Sequence, residues 1–218
     1  MSTQALVYLY RALVMLIAIP FHEAAHAYVS WRLGDSTARD NGRLTLNPLA
    51  HFDLFGAICM IVAGVGWAKP VPTRPGLFRD PKKGMALTAL AGPAANLVLA
   101  YVSMILYKML NYFVPASAVT QYVILFFYYM VIINVTLAVF NMLPVPPFDG
   151  SRILLVVLPR RLYFRIMQYE RYLFLAVFVA LMMGLLDTPL YYLRQAALTV
   201  LDYGTIYVDL YALSWRLF

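Results

Sequence analysis

Two stretches of this chain, 85–110 and 121–140, are each long enough to cross a bilayer core of ~30 Å at a helical rise of ~1.5 Å per residue. Lys108 is the one charge they carry. A third apolar stretch, 5–33, is too long for the core of a signal peptide and has no small-residue cleavage site after it, so it reads as a retained transmembrane helix. Of the 218 residues, 63% are hydrophobic and 12% charged, against roughly 45–50% and 25% in soluble domains. These proportions exclude a water-soluble globule and a disordered chain, and a single cysteine, Cys59, excludes a disulfide-stapled module. The net charge of +7 could suggest nucleic acid as a partner, but in so apolar a chain it is better read as a topology signal in cytoplasmic loops.

The rest of the chain is less regular. Residues 172–186 make a shorter span, and 188–218, with Arg194, Asp202, Asp209 and Arg216, are either a sixth span or an interfacial helix. Between the first two full spans, Arg43–Leu46 alternates polar with apolar, and Pro70, Pro72, Pro75 and Pro81 exclude helix, which predicts a small extended or β-hairpin element. The apolar insert 52–65 is too short to cross and has basic residues on both sides, so it reads as re-entrant. That places the 111–120 loop and the N terminus outside, and the Arg152–Arg171 stretch inside. The expected fold is an all-α polytopic membrane protein of five or six membrane segments in one domain, 1–218. Its core is about 5–158, and 159–218 forms C-terminal helices.

The first span has a costly interior. His22, Glu23 and His26 lie inside it, where an ionisable group costs ~2.5–3.5 kcal/mol even on lenient insertion scales. His22-Glu23-Ala24-Ala25-His26 is H-E-x-x-H, and the i, i+4 spacing stacks both imidazoles on one helix face within reach of one zinc ion. Glu23, on the flank, can take the proton of a water activated by that ion, and the reaction class implied is amide hydrolysis. With about seven residues between His26 and the helix end, the metal would lie ~10 Å below the cytoplasmic boundary. A catalytic zinc needs a third protein ligand. The chain has three histidines, two glutamates and one cysteine besides its aspartates. Asp149, in the breaker-rich run Asn141-Met-Leu-Pro-Val-Pro-Pro-Phe-Asp149-Gly150, is the better candidate, with helix capping as its competing role and His51 in reserve. His51 and Asp53 read as structural, and Gly92, Ala95 and Ala86 as small-residue packing positions that bring the third-helix backbone close to the motif helix.

The H-E-x-x-H helix, Ala91-Gly92-Pro93-Ala94-Ala95-Asn96 and the Asn-x-x-Pro-x-Pro-x-x-Asp-Gly segment together resemble the site-2 protease family of intramembrane zinc metalloproteases. Asn47-Pro48, His51, Asp53 and Gly66–Pro72 extend the similarity over about 19–155, in the manner of the compact bacterial members that lack PDZ or CBS domains. The motif helix comes first here, and no stretch could hold such a domain. The resemblance implies one zinc ion held by His22, His26 and Asp149, with Glu23 as general acid/base and Asn141 near the substrate carbonyl. Asn96 would support helix packing or the metal ligands, and Lys69, Val71 and Asn96 are candidate substrate-binding residues. Val71, between Pro70 and Pro72, could offer a strand edge to an unwound substrate.

The reading is therefore a zinc metalloendopeptidase of the cell membrane, multi-pass, with its site near the cytoplasmic side. Its partners are membrane proteins with transmembrane helices and the lipid bilayer, without nucleic acid and with a homo-oligomer left open. A metal transporter and an inactive scaffold are the alternatives. A transport path would call for a chain of ionisable groups, and the spans after residue 85 carry almost none.

Overall fold

A computed structural model describes residues 3–51, 53, 55–56, 58–59 and 68–216. Helix α1 (Thr3–Arg32) holds the motif and ends where Gly34 takes a φ of 115°, a conformation open to glycine, with its α-carbon facing Leu77 O. A one-turn helix α2 (Thr37–Asp40) follows. Helix α3 (Pro81–Phe113) begins with Pro81 at its first position and with Asp80 accepting from the Lys82 and Lys83 amides at 3.1 and 3.2 Å. Helix α4 (Ala118–Asn141) is capped by Ser117, whose hydroxyl accepts from Thr120 N at 3.1 Å.

These three helices are long and apolar enough to cross a membrane. Tyr10 of α1 donates to Tyr122 O at the start of α4, and His26 near the end of α1 reaches Thr88 near the start of α3. So α1 and α4 run one way and α3 runs back between them. Val14 and Ala18 pack on Met130, and Ala100 packs on Val131 and Val135. Polarity is inverted relative to a soluble protein: His22, Glu23, His26, Thr88, Asn96, Ser103 and Asn134 are buried, while Leu9, Leu13 and Leu16 face outward from α1.

Four short or broken helices follow: α5 (Gly150–Val157), α6 (Arg160–Gln168), α7 (Glu170–Met182) and α8 (Asp187–Gly204), with α9 (Ile206–Arg216) last. The pair α7 and α8 is bent by 87° and counts as one further span only if taken together. Among the described residues the count is thus three spans, or four, and the five or six membrane segments expected, the 52–65 insert among them, are not confirmed. The C-terminal stretch, expected as one span or one interfacial helix, is two helices parted at Thr205. It is held on α3 by Lys108, whose Nζ lies 2.7 Å from Asp202 and 2.5 Å from Asp209. Tyr112 donates to the other Asp209 oxygen. Two of the four charges on that stretch, Asp202 and Asp209, are thus the partners of Lys108 on α3.

Among the described residues no strand ladder forms where a hairpin was expected. Arg43–Leu46 passes through a turn and bends, and Ala68 is a lone bridge residue. Side chains hold this region instead. Arg43, buried, donates to the carbonyls of Ala50, Lys69 and Pro70, and the His51 ring pairs with Thr45 O at 2.8 Å. The prolines at 70, 72 and 75 lack the amides a ladder needs. The 52–65 insert lies for the most part outside the described residues.

Asp35 joins the end of α1 to this region. Its carboxylate is fully buried and accepts from the amides of Thr37 at 3.0 Å and Arg74 at 2.7 Å and from the Ser30 hydroxyl. Burial alone would raise its pKa, but those bonds outweigh burial and hold it below the usual carboxylate value. Asp35→Ala should therefore cost about 1–3 kcal/mol in unfolding measurements, because buried donors lose their acceptor. The depressed pKa means the contribution is complete above the unfolded-state pKa of ~3.9 and is lost as pH falls through the lower folded value. A variant as stable as wild type at neutral pH would contradict this.

Candidate metal centre

His22 and His26 sit one turn apart on α1, and Asp149 enters from the turn after α4. Their facing atoms form a small triangle: His22 Nε2 to His26 Nε2 2.9 Å, and each Nε2 to Asp149 Oδ2 3.2 Å. All three residues are well shielded, with His22 and His26 buried. Asp149 stands at the cap position of α5, yet its side chain makes no cap bond and turns to the imidazoles. The competing reading of Asp149 as a helix cap is therefore not what its geometry shows.

The outer ring nitrogens decide what the triangle can hold. His26 Nδ1 lies 2.6 Å from Thr88 O, which only accepts, so Nδ1 carries the proton and Nε2 presents a lone pair. His22 Nδ1 lies 3.1 Å from Asn96 Oδ1, which in this orientation of the amide accepts from the ring and leaves Asn96 Nδ2 buried without a partner among the described residues. With both rings neutral, two imidazole lone pairs and a carboxylate oxygen converge with no donor among them, an arrangement that a cation resolves. Tetrahedral zinc with bonds of ~2.0–2.2 Å sets its ligand atoms about 3.3 Å apart, close to the distances here. The residues fit zinc, and three protein donors are the complement of a catalytic site with one position open.

Helix α3 forms the floor. Thr88, Gly92 and Asn96 are spaced at i, i+4 and i+8 and so share one face. A Cβ on Gly92 would lie 2.3 Å from His26 Nε2 and 2.5 Å from His22 Cε1, so only glycine lets this backbone pass beneath the rings. Beside the triangle, Glu23 is 9% exposed, and no described residue hydrogen-bonds or ion-pairs with its carboxylate. A shielded carboxylate is costly unless hydrogen-bond donors, water or a ligand serve it.

The other candidates fall around this centre. Asn141 donates Nδ2 to Leu137 O at 2.9 Å within its own helix. Val71 is buried with Ala27, Ala38 and Leu44. Lys69 is exposed, and its amide donates to His51 O. His51 is fully buried in loop contacts and is not among the clustered metal donors. Asp53 accepts from Gly56 N. The sequence analysis missed Thr88, which acts through its carbonyl and so leaves no side-chain signal, and Asn134, fully buried in α4 with Oδ1 unpartnered. A lone amide in an uncharged span was the available sign of Asn134.

Comparison with known proteins places this geometry in context. The sequence profile of peptidase family M50 matches residues 10–185. YwhC of Bacillus subtilis, which carries the name zinc metalloprotease, is 38% identical over 175 residues, 78% of this chain and 80% of its own. Rip2 of Mycolicibacterium smegmatis, similarly named, is 34% identical over 62% of this chain and 52% of its own length. MJ0611 of Methanocaldococcus jannaschii, again named a zinc metalloprotease, is 34% identical over 65% of this chain and 69% of its own. No solved structure matches the chain.

Gly92→Ala should reduce zinc affinity by at least about tenfold, since a displaced ligand loses bonds that the site cannot replace. Zinc retained against a competing chelator measures this. Retention equal to wild type would contradict the packing of α3 against the rings.

Proposed function

The chain belongs to peptidase family M50, the site-2 protease family, and is a zinc metalloprotease; on that premise we propose that it cleaves peptide bonds in or near transmembrane segments of membrane proteins, with Glu23 as general acid/base. The observation that carries this reading is the Glu23 carboxylate, without a hydrogen-bond or ion-pair partner among the described residues, beside three converging donors inside a helix bundle whose outer face is apolar.

His22, His26 and Asp149 would hold the zinc ion, which when bound makes water nucleophilic near neutral pH and polarises the scissile carbonyl. Thr88 and Asn96 keep both rings in the tautomer that offers Nε2 inward. Glu23 takes a proton from the attacking water and returns it to the amide nitrogen as the C–N bond breaks, leaving a carboxylate and an amine. Asn141 is assigned to the substrate carbonyl oxygen, a role that requires its amide to exchange the bond to Leu137 O.

A helical substrate must unwind before its carbonyl can be attacked, because helix bonds occupy and shield it. Support for an extended binding mode comes from an open apolar groove of about 480 Å³ between α1 and the 44–46 segment. Phe21, Ala24, Ala25 and Tyr28 line one wall, Leu44–Leu46 the other, and Ala95 the end. Val71 backs the second wall through Leu44, and Lys69 and Pro70 are tied to it by Arg43, so 69–71 are assigned to shaping the groove. Asn96 follows Ala95 and couples the groove to His22.

The ends of α1 and α4 and the start of α3 share one side of the bundle, with Arg32, Lys82, Lys83 and Arg152. The positive-inside rule assigns that side, and the site near it, to the cytoplasm.

Glu23→Gln should keep its zinc while cleavage of a membrane-helix reporter falls by about 10²-fold or more, the usual weight of general acid/base catalysis. Unchanged cleavage would remove Glu23 from the reaction. Stripping zinc with a chelator should abolish cleavage, and zinc added back should restore it; activity that persists in the metal-free protein would overturn the whole assignment.

A further inference from the structure

From the metal ligand Asp149 into the first turn of α7 the chain carries Arg152, Arg160, Arg161, Arg165 and Arg171, with Glu170 as the one acidic residue after Asp149. None of the described arginines has an ion-pair partner among the described residues, because the ion pairs of this protein lie elsewhere. The sign of this charge follows from topology, but its arrangement does not. On α6, Arg161, Arg165 and Gln168 are spaced at i, i+4 and i+7 along one face, and Leu162 and Ile166 run along the next. Arg161 and Arg165 are exposed, and so is Leu162 at 45%. Among the described residues the helix packs appreciably only against its sequence neighbours α5 and α7, and Tyr169 and Tyr172 at its far end are exposed too.

An uncovered helix with one cationic and one apolar face has the make-up of a segment lying in the membrane interface, its apolar side in the acyl boundary and its arginines at headgroup level. Exposed tyrosines beside it mark the same depth. Guanidinium groups take phosphate oxygens bidentately, and unpaired arginines on a leaflet rich in acidic lipid lower the energy of every phosphate they meet. We propose that α6, with Arg171, is a binding surface for the headgroups of anionic phospholipids. Asp149 heads α5, and α5 leads into α6 through Pro159, so the segment that supplies the third metal ligand is anchored to the lipid surface at its other end. The inference rests on α6 and the adjoining start of α7 and stands or falls independently of the proteolytic reading.

The test uses the full chain with Cys59→Ser and Gln168→Cys, labelled with bimane and reconstituted in phosphatidylcholine vesicles. Brominated phosphatidylglycerol or brominated phosphatidylcholine is included at equal mole fraction. Quenching by the anionic lipid should exceed that by the zwitterionic one about fivefold, less than three basic residues would give in full because salt screens them. The triple variant Arg161→Gln, Arg165→Gln, Arg171→Gln should lose the preference, the corresponding lysine variant should keep most of it, and Lys82→Gln with Lys83→Gln on the same side should leave it unchanged. Zinc content serves as the check that each variant is folded. Equal quenching by both lipids in the parent protein would overturn the proposal, and so would a preference that survives in the glutamine variant. Displacement of the lipid by millimolar inorganic phosphate would also overturn it, by making the surface a soluble-anion site.

Discussion

Three lone pairs meeting inside an apolar bundle organise this molecule. The imidazoles of His22 and His26 are each committed on their outer side, to Asn96 and to the Thr88 carbonyl, so as neutral rings they turn lone pairs toward one another and toward Asp149. Such a cluster is unfavourable alone and favourable around a divalent cation, which makes metal binding part of the energetics of packing α1, α3 and the 142–149 turn together. Burial raises the stakes, because the low dielectric that makes an unmatched charge expensive also strengthens each bond to the ion.

Helix α3 is the element through which the rest is arranged. Its first half supplies a carbonyl, a glycine and an amide to the metal centre, and its last third carries Lys108, which seats α8 and α9 through Asp202 and Asp209. Gly92 sets the distance between α3 and α1 because any side chain there would occupy the space of the histidine rings. Gly150 does the same for the ligand turn, where a Cβ would fall 2.3 Å from Met142 O. The chemistry is thus placed by backbone approach as much as by the ligands.

What was legible in the sequence was what local spacing or scarcity determines. The i, i+4 histidines needed only a helix to converge, and Asp149 stood out because the chain has few other ligands and places this one among prolines and a glycine. The close approach at Gly92 could be read as well, since a small residue in a span has few other uses. Thr88 could not, because its contribution is a carbonyl oxygen that every residue has. The alternation at Arg43–Leu46 mimicked a strand, yet there the buried guanidinium of Arg43 and the ring of His51 do the holding, and Leu44 and Leu46 face a groove. The C-terminal charges looked interfacial because nothing in their own segment reveals that Lys108, about a hundred residues earlier, is waiting for them.

The central claim is most directly tested by zinc K-edge X-ray absorption on the purified protein in lipid. The account predicts two imidazole nitrogens and one carboxylate oxygen, with a fourth light atom, all at about 2.0–2.2 Å, and a spectrum that loses one imidazole in His26→Ala. A zinc environment free of imidazole, or one unaltered by that substitution, would contradict it.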